Sequence, residues 1–290
     1  MRKLGIDIGG SSIKYAVFDK YSHCLESWSK ETKPFATLDE FYNYLFDGLE
    51  LSTIKTLGIC APGLISKDGV VEFIQTPNCM VLANSNMNQD VYSRTGFKVQ
   101  VINDAKAAGM CEIKHGKAKD ADSVVLYLIG TGIGGCIIVD QEIVNGHNGF
   151  AGEFSYQAID EGSKYLQVGN QTSMSGLVRT YNNLGGQAKQ GKDVFDAYLN
   201  HEDLARQAVD AWLRSLCSQL LTISSFINPE YICLGGSISK ESWIINLIDK
   251  EYKKGIREFL CTDKIMTQLS TCSFNQYTNC LGAVYKSEEY

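Results

Sequence analysis

"LGIDIGGSSIKYAVFD", residues 4 to 19, sets a turn of small residues between two apolar segments, with an acid inside the first and a lysine near the start of the second. Leu4, Ile6 and Ile8 alternate with Gly5, Asp7 and Gly9, and Ile13, Tyr15 and Val17 continue the alternation beyond the turn. Both flanks therefore read as strands, and the stretch as a β-hairpin. That excludes the dinucleotide fingerprint and the Walker loop, which need a helix to start directly after the glycines. A turn of Gly9, Gly10, Ser11 and Ser12 offers backbone N–H groups and two hydroxyls to an anion, while a plain tight hairpin would use the same residues. Asp7 is costly to bury alone, and Lys14 or a hydrated metal ion could partner it.

The same plan recurs. "SVVLYLIGTGIGGCIIVDQEIV", residues 123 to 144, is an apolar strand, a turn through Gly130, Thr131 and Gly132 that runs on into Gly134 and Gly135, and a second apolar strand. Two copies of one hairpin imply two related domains, each offering a glycine turn. A further strand, "YICLGGSIS" at 231 to 239, breaks at Gly235 and Gly236 before a helical segment. Glycine turns fed by buried strands point to a nucleotide with several phosphate and base contacts. The expected division is an N-terminal α/β domain over 1–117, completed by a C-terminal helix 278–290, and a second α/β domain over 118–277.

Composition narrows the partners. The chain has 290 residues and a formal net charge of −6, without a basic run or stripe, which argues against nucleic acid. No apolar run approaches the ~20 residues that span a bilayer, and the N-terminus lacks the pattern of a secretory signal, so no membrane partner and a cytoplasmic location are expected. Ten cysteines are scattered without a C-x-x-C pair, and the four histidines do not join them at ligand spacing. They read as reduced, mostly buried small hydrophobes rather than as a zinc site or a disulfide framework.

Residues 205 to 226 place Ala205, Ala208, Val209, Trp212, Leu213, Leu216, Leu220 and Ile223 at helical spacing, which predicts a long amphipathic helix. Leu38 to Leu49 predicts a shorter one, and 182 to 193 a polar loop. The most chemical stretch is "KVQVINDAKAAGMCEIKHG", residues 98 to 116. Val99, Val101 and Ile102 predict a strand, and Ala105 the start of a helix to about His115, which leaves Asn103 and Asp104 at the junction. Either could simply cap the helix. A carboxylate there also lies where open α/β sheets bind ligands, and it could orient a hydroxyl and accept its proton in phosphoryl transfer.

"DIGGSSIK", "APG" (61 to 63), "TPN" (76 to 78), "NDA" (103 to 105), "GTGIGG" (130 to 135), "NGHNGFAGEF" (145 to 154) and "GGSIS" (235 to 239), in this order, resemble the ROK family of bacterial sugar kinases and repressors over essentially the whole chain. The resemblance implies an α/β, actin-like ATPase fold (RNase H-like), with two related α/β domains flanking a nucleotide and sugar cleft. It implies ATP and Mg²⁺ as cofactors, transfer of the γ-phosphoryl group to a sugar hydroxyl, and a homodimer as the family's usual form. By that resemblance Asp104 matches the catalytic base, with Asn103, Asn78 and Gly63 beside the sugar, and Glu153 matches the acceptor of sugar hydroxyls. Gly9, Gly10, Ser11 and Ser12 become one phosphate loop, with Thr131, Gly132, Gly134, Gly235 and Gly236 as further nucleotide contacts. Asp7 is the residue to hold hydrated Mg²⁺, and Lys14 either neutralises phosphate or pairs with Asp7.

The departures from the family pattern concern the sugar. Many members carry a histidine shortly after the glutamate and a cysteine-rich zinc loop beyond it. Here Tyr156 falls at the histidine, no cysteine lies between 137 and 216, and Gln171 falls near a second sugar-binding glutamate. The tyrosine is a pattern that the resemblance associates with β-glucoside kinases. The expected reading is thus an ATP-dependent kinase acting on the 6-hydroxyl of a hexose or β-glucoside, without structural zinc. The alternatives are an N-acetylmannosamine kinase or glucokinase of the same family, or a sugar-responsive repressor or sensor. A repressor would carry a winged-helix domain ahead of the first hairpin, where residue 4 is expected to leave no room for one.

Overall fold

The computed structural model describes residues 2–160, 162–260, 267–273 and 277–289. The chain forms two compact units: Met1–Lys119 with Ile143–Ala151 and Phe274–Tyr290, and Asp120–Glu142 with Gly152–Ser273.

In the first unit, β1 (Arg2–Ile8), β2 (Ser12–Phe18) and β3 (Cys24–Glu31) run as an antiparallel meander, followed by helix α1 (Leu38–Phe46) and strand β4 (Ile54–Ala61). A short ribbon, β5 (Leu64–Ile65) and β6 (Val71–Phe73), then leads to α2 (Met87–Thr95), β7 (Ile102–Asn103) and α3 (Asp104–His115). The sheet order is β3-β2-β1-β4-β7, with β4 parallel to both β1 and β7. One face of β1 is apolar, with Ile6 and Ile8 buried against Phe41, Tyr42 and Leu45 of α1 and Ile59 of β4. Helix α1 starts where the Thr37 hydroxyl accepts the Glu40 N–H, a cap of the ordinary kind. The C-terminal helix Thr278–Glu288 lies directly on β1 and β4. A Cβ at Gly5 or Gly58 would run into its backbone at Cys280 or Ala283–Val284, so these two glycines permit the contact.

The strand expected over Val99–Ile102 is shorter. Val99 and Val101 are buried, but the Val101 N–H donates to the Asn88 side chain at 2.9 Å and the Gln100 N–H to the Ser287 hydroxyl at 3.3 Å. Side chains take the bonds that a neighbouring strand would have taken, and pairing with β4 begins only at Ile102.

The second unit repeats the plan. Strands β8 (Ser123–Ile129), β9 (Ile133–Val139) and β10 (Glu142–Ile143) open it, and a ribbon of β11 (Ala158–Asp160) and β12 (Tyr165–Gln167) follows. Helices α4 (Gly169–Thr172), α5 (Met174–Asn183), α6 (Gly191–Leu199) and α7 (Asp203–Phe226) precede β13 (Tyr231–Gly236), α8 (Ser242–Leu260) and β14 (Gln268–Thr271). The sheet order is β10-β9-β8-β13-β14, with β13 parallel to β8 and β14. In each sheet, then, the strands stand in the order third, second, first, fourth, fifth. The predicted long helix is α7, whose stripe of Val209, Trp212, Leu216, Leu220 and Ile223 is buried. Helix α6 starts inside the stretch expected to be a loop, because Gln190 and Asp193 form a capping box. Among the described residues no helix is long and apolar enough to cross a membrane.

Candidate active site

The turn between β1 and β2 is held from behind. The Gly9 N–H donates to the Ser12 carbonyl at 3.0 Å, closing the hairpin. The Thr32 hydroxyl donates to the Gly9 carbonyl at 2.6 Å, the Asn78 amide to the Gly10 carbonyl at 2.9 Å, and the Thr32 N–H to the Ser11 carbonyl at 3.1 Å. With the carbonyls drawn inward, the N–H groups of Gly10 and Ser11 have no acceptor among the described residues. Outward N–H groups on a hairpin tip suit an anion. Asn78, expected beside the sugar, gives its amide to this turn and to the Thr32 carbonyl at 3.1 Å.

Asp7 points from β1 into a buried corner, 5 % exposed. Lys14 Nζ lies 3.2 Å from its Oδ2, Asn279 Nδ2 donates to the same oxygen at 3.3 Å, and Cys60 Sγ lies 3.5 Å from Oδ1. Of the two roles open to Lys14, the structure shows the pairing with Asp7. Asn279, on the C-terminal helix, carries no signal in the sequence that would bring it here, since 272 residues separate it from Asp7. Both Asp7 oxygens already have neighbours. A Mg²⁺ ion here would have to be held through its water shell rather than bound directly.

Asn103 and Asp104 divide the duties left open at the junction. Asn103 is the cap, accepting the N–H groups of Ala105 at 2.9 Å and Lys106 at 3.3 Å, while its amide donates to the Gly63 carbonyl at 3.1 Å. Gly63 sits at φ +100°, and a Cβ there would strike the Phe73 carbonyl. Asp104 is the first residue of α3, and its Oδ1 accepts the Ala105 N–H at 2.8 Å. Loss of water around it and then the nearby Asp7 charge push its carboxyl up to about 6, against the pull of the Ala105 hydrogen bond and Lys14. A carboxylate poised near neutrality suits proton transfer.

In the second unit the β8–β9 turn is closed by the Gly130 N–H donating to Gly132 at 3.0 Å. Beside Gly130 and Thr131 lies a cavity of about 550 Å³. Met174, Phe195, Leu199 and Trp243 supply apolar wall, and Gln190, Asp196 and Glu241 polar edge. Its volume and mixed lining match a small-molecule site. The α6 and α8 residues here were missed by sequence reasoning, for neither helix bears a motif. The wall runs through Ser237 and Ile238 rather than Gly235 and Gly236, and Gly132 and Gly134 also stand outside it. Gly236 instead turns the chain at φ +88°, where a Cβ would meet the Ile129 carbonyl.

Glu153 immediately precedes a short 3-10 turn, Phe154–Tyr156. Tyr156 is partly buried, and that burial followed by the Glu153 charge raises its phenol pKa. Gln219, buried on α7, donates to the Phe154 carbonyl at 2.6 Å and so fixes the turn. The sequence did carry a signal for it, a polar residue on the apolar stripe between Leu216 and Ile223. Gln171 lies on α4 and accepts the Ser215 hydroxyl at 3.1 Å, and the Trp212 indole donates to the neighbouring Thr172 carbonyl at 2.7 Å. Helix α7 thus supports both segments.

Two sheets of one strand order, each with a glycine turn on its first hairpin, define the actin-like ATPase fold. The chain belongs to the ROK family, whose model matches residues 3–288. A β-glucoside kinase of Listeria monocytogenes is 26% identical over 296 residues, covering 98% of this chain and 97% of the relative. A ROK family protein from Streptococcus pneumoniae solved in complex with sucrose superposes with a TM-score of 0.88 at 23% identity, covering 100% of this chain and 98% of the other. A ROK family glucokinase from Streptomyces griseus, solved with glucose and AMPPNP, gives 0.80 at 22% identity, with 100% of each chain covered.

Proposed function

We propose that this ROK family kinase transfers the γ-phosphoryl group of ATP to the 6-hydroxyl of a hexose unit, and that a β-glucoside is its substrate class. The observation that carries the reading is Asp104: a carboxylate raised to about 6, at the first position of a helix capped by its own neighbour. Its Oδ1 is held by the Ala105 N–H, which orients Oδ2 as the acceptor for the hydroxyl proton. As O6 bonds to the γ-phosphorus, the bond from that phosphorus to the bridging oxygen breaks and ADP leaves. The O6 proton moves to Asp104 as it becomes acidic. Asp104 supplies proton acceptance and orientation, worth ~10² to 10⁴ in rate.

The outward N–H groups of Gly10 and Ser11 support a phosphate contact. The cavity at Thr131 is assigned to the adenosine moiety. Mg²⁺, held through water at Asp7, would neutralise charge on the phosphates. Glu153 is the proposed acceptor for sugar hydroxyls. Tyr156 in place of a histidine leaves fewer groups demanding a free 1-hydroxyl, and an aromatic ring can stack on an apolar sugar face or an aglycone. The β-glucoside kinase from Listeria supports the same substrate class.

The test is steady-state kinetics, by coupled ADP release, with cellobiose, glucose and N-acetylmannosamine side by side. Cellobiose is expected to give the highest kcat/KM. A clear preference for either monosaccharide would overturn the β-glucoside assignment and leave the kinase, whereas no turnover with any sugar would remove both.

A further inference from the structure

Asn78 commits both hydrogens of its amide to backbone. Nδ2 donates to the Gly10 carbonyl at 2.9 Å and to the Thr32 carbonyl at 3.1 Å. A carbonyl only accepts, so these two partners admit the nitrogen end alone and fix the sense of the amide. Oδ1 is the end left over, an acceptor on a half-buried residue to which no described residue donates.

The segment around Asn78 meets the β1–β2 turn at two further points. A Cβ on Gly10 would come within 2.7 Å of the Thr76 methyl, and the Cys79 Sγ lies 3.8 Å from the Gly9 carbonyl. Cys79 is buried, and that burial followed by the Asp104 charge pushes its thiol up to about 11. The stretch Thr76–Cys79 thus touches the turn on one side and feels the proposed proton acceptor on the other, all within the first unit. Thr32 offers the contrast. Its hydroxyl donates to the Gly9 carbonyl at 2.6 Å and it is 3 % exposed, so it holds the same turn with no end open to a ligand.

We infer that Asn78 is a positioning residue that couples the two substrates: Nδ2 holds the carbonyls behind the phosphate turn while Oδ1 accepts a sugar hydroxyl, so that each substrate strengthens the binding of the other. This rests on the function proposed above, which sets phosphate at the turn and the sugar at Asp104. The link is electronic as well as mechanical. A hydrogen bond accepted at Oδ1 polarises the amide and strengthens both of its N–H donors. It also restrains the side chain, so the turn has less freedom to lose when phosphate arrives.

The test is calorimetric binding of AMPPNP with Mg²⁺, in the presence and absence of saturating cellobiose, for the parent, Asn78→Ala and Thr32→Val. In the parent, cellobiose is expected to tighten AMPPNP on the order of tenfold, and AMPPNP to tighten cellobiose by the same factor. Thr32→Val keeps shape and removes one tie behind the turn. AMPPNP should then weaken severalfold with and without cellobiose, and the coupling should persist. Asn78→Ala should weaken both ligands and bring the coupling factor close to one. A parental coupling factor in Asn78→Ala, or no coupling in the parent, would overturn the inference. Hydrogen exchange at the Gly9 and Thr32 amides, which bond to the Ser12 and Ser11 carbonyls, is read without ligands. Both should exchange faster in Asn78→Ala, and unchanged rates would show that the turn holds itself and overturn the inference too. A parent that binds neither cellobiose nor glucose counts against the proposed function, and exchange with AMPPNP affinity then judges the hold of Asn78 on the turn by itself.

Discussion

Replacing Asp104 with asparagine keeps its shape and its bond to the Ala105 N–H but removes the proton acceptor. The expected kcat falls ~10² to 10⁴ fold with sugar binding largely retained, and turnover within a few fold of the parent would reduce Asp104 to part of the helix start. The carboxylate is the working form, so kcat/KM should decline as pH drops through about 6, the value to which burial and Asp7 raise Asp104. Asp7→Asn removes a negative neighbour, so Asp104 ionises more readily and the acid limb should move to lower pH, which a pH–rate profile of the two proteins would record. The same shift has the opposite sense for stability. A carboxyl raised in the folded state favours the protonated form, so its contribution falls as pH rises from the ordinary carboxylate range through about 6. Asp104→Asn is therefore expected to melt higher than the parent at neutral pH, read by thermal denaturation at pH 5 and pH 8. At this scale Asp104 was legible from its place between an apolar segment and a helix. That Asn103 rather than Asp104 makes the cap was not, because both side chains are competent and only the backbone direction chooses.

Helix α7 shows how an element can be read correctly and its purpose missed. The apolar period from Ala205 to Ile223 predicts the helix, and burial of that stripe is what holds it to the sheet. Gln219 breaks the stripe because its amide is committed to the Phe154 carbonyl. Gln219→Leu should leave that carbonyl with only the longer 3.3 Å bond from the Gln157 N–H and cost about 1–3 kcal/mol, measurable by urea unfolding, and it should raise the sugar KM by loosening the Glu153–Tyr156 turn. A variant with parental stability and parental KM would show that the turn holds itself. Helix α6 lay beyond sequence reasoning for a different reason. It begins inside a polar, glycine-containing stretch that reads as a loop, and its capping box is the one local signal. The buried valines at 99 and 101 misled in the other direction, since burial alone gives a strand-like pattern even where side chains, not strands, satisfy the backbone.

For the whole molecule, the Mg²⁺ proposed at the Asp7 corner gives a further test. Chelation by EDTA should abolish turnover, restored by added Mg²⁺, with the melting temperature unmoved and no stoichiometric zinc by elemental analysis. One zinc per chain, or unfolding on chelation, would contradict the reading that the stretch after Tyr156 lacks the family's zinc loop. The duplicated architecture was visible in the chain itself, because a strand, a glycine turn and a strand are local features whose alternation and φ demands are written in consecutive residues. The glycine turn of the first hairpin and the place of Asp104 at a helix start followed from the same local grammar. What only the tertiary structure decided were the long-range partners: Asn279 brought to Asp7, Asn78 and Thr32 gathered behind the glycine turn, and the cavity between α6 and α8. The physical reason is one of range. Steric and periodic rules act over a few residues, whereas a hydrogen bond between distant side chains exists only after hydrophobic burial has fixed which surfaces meet.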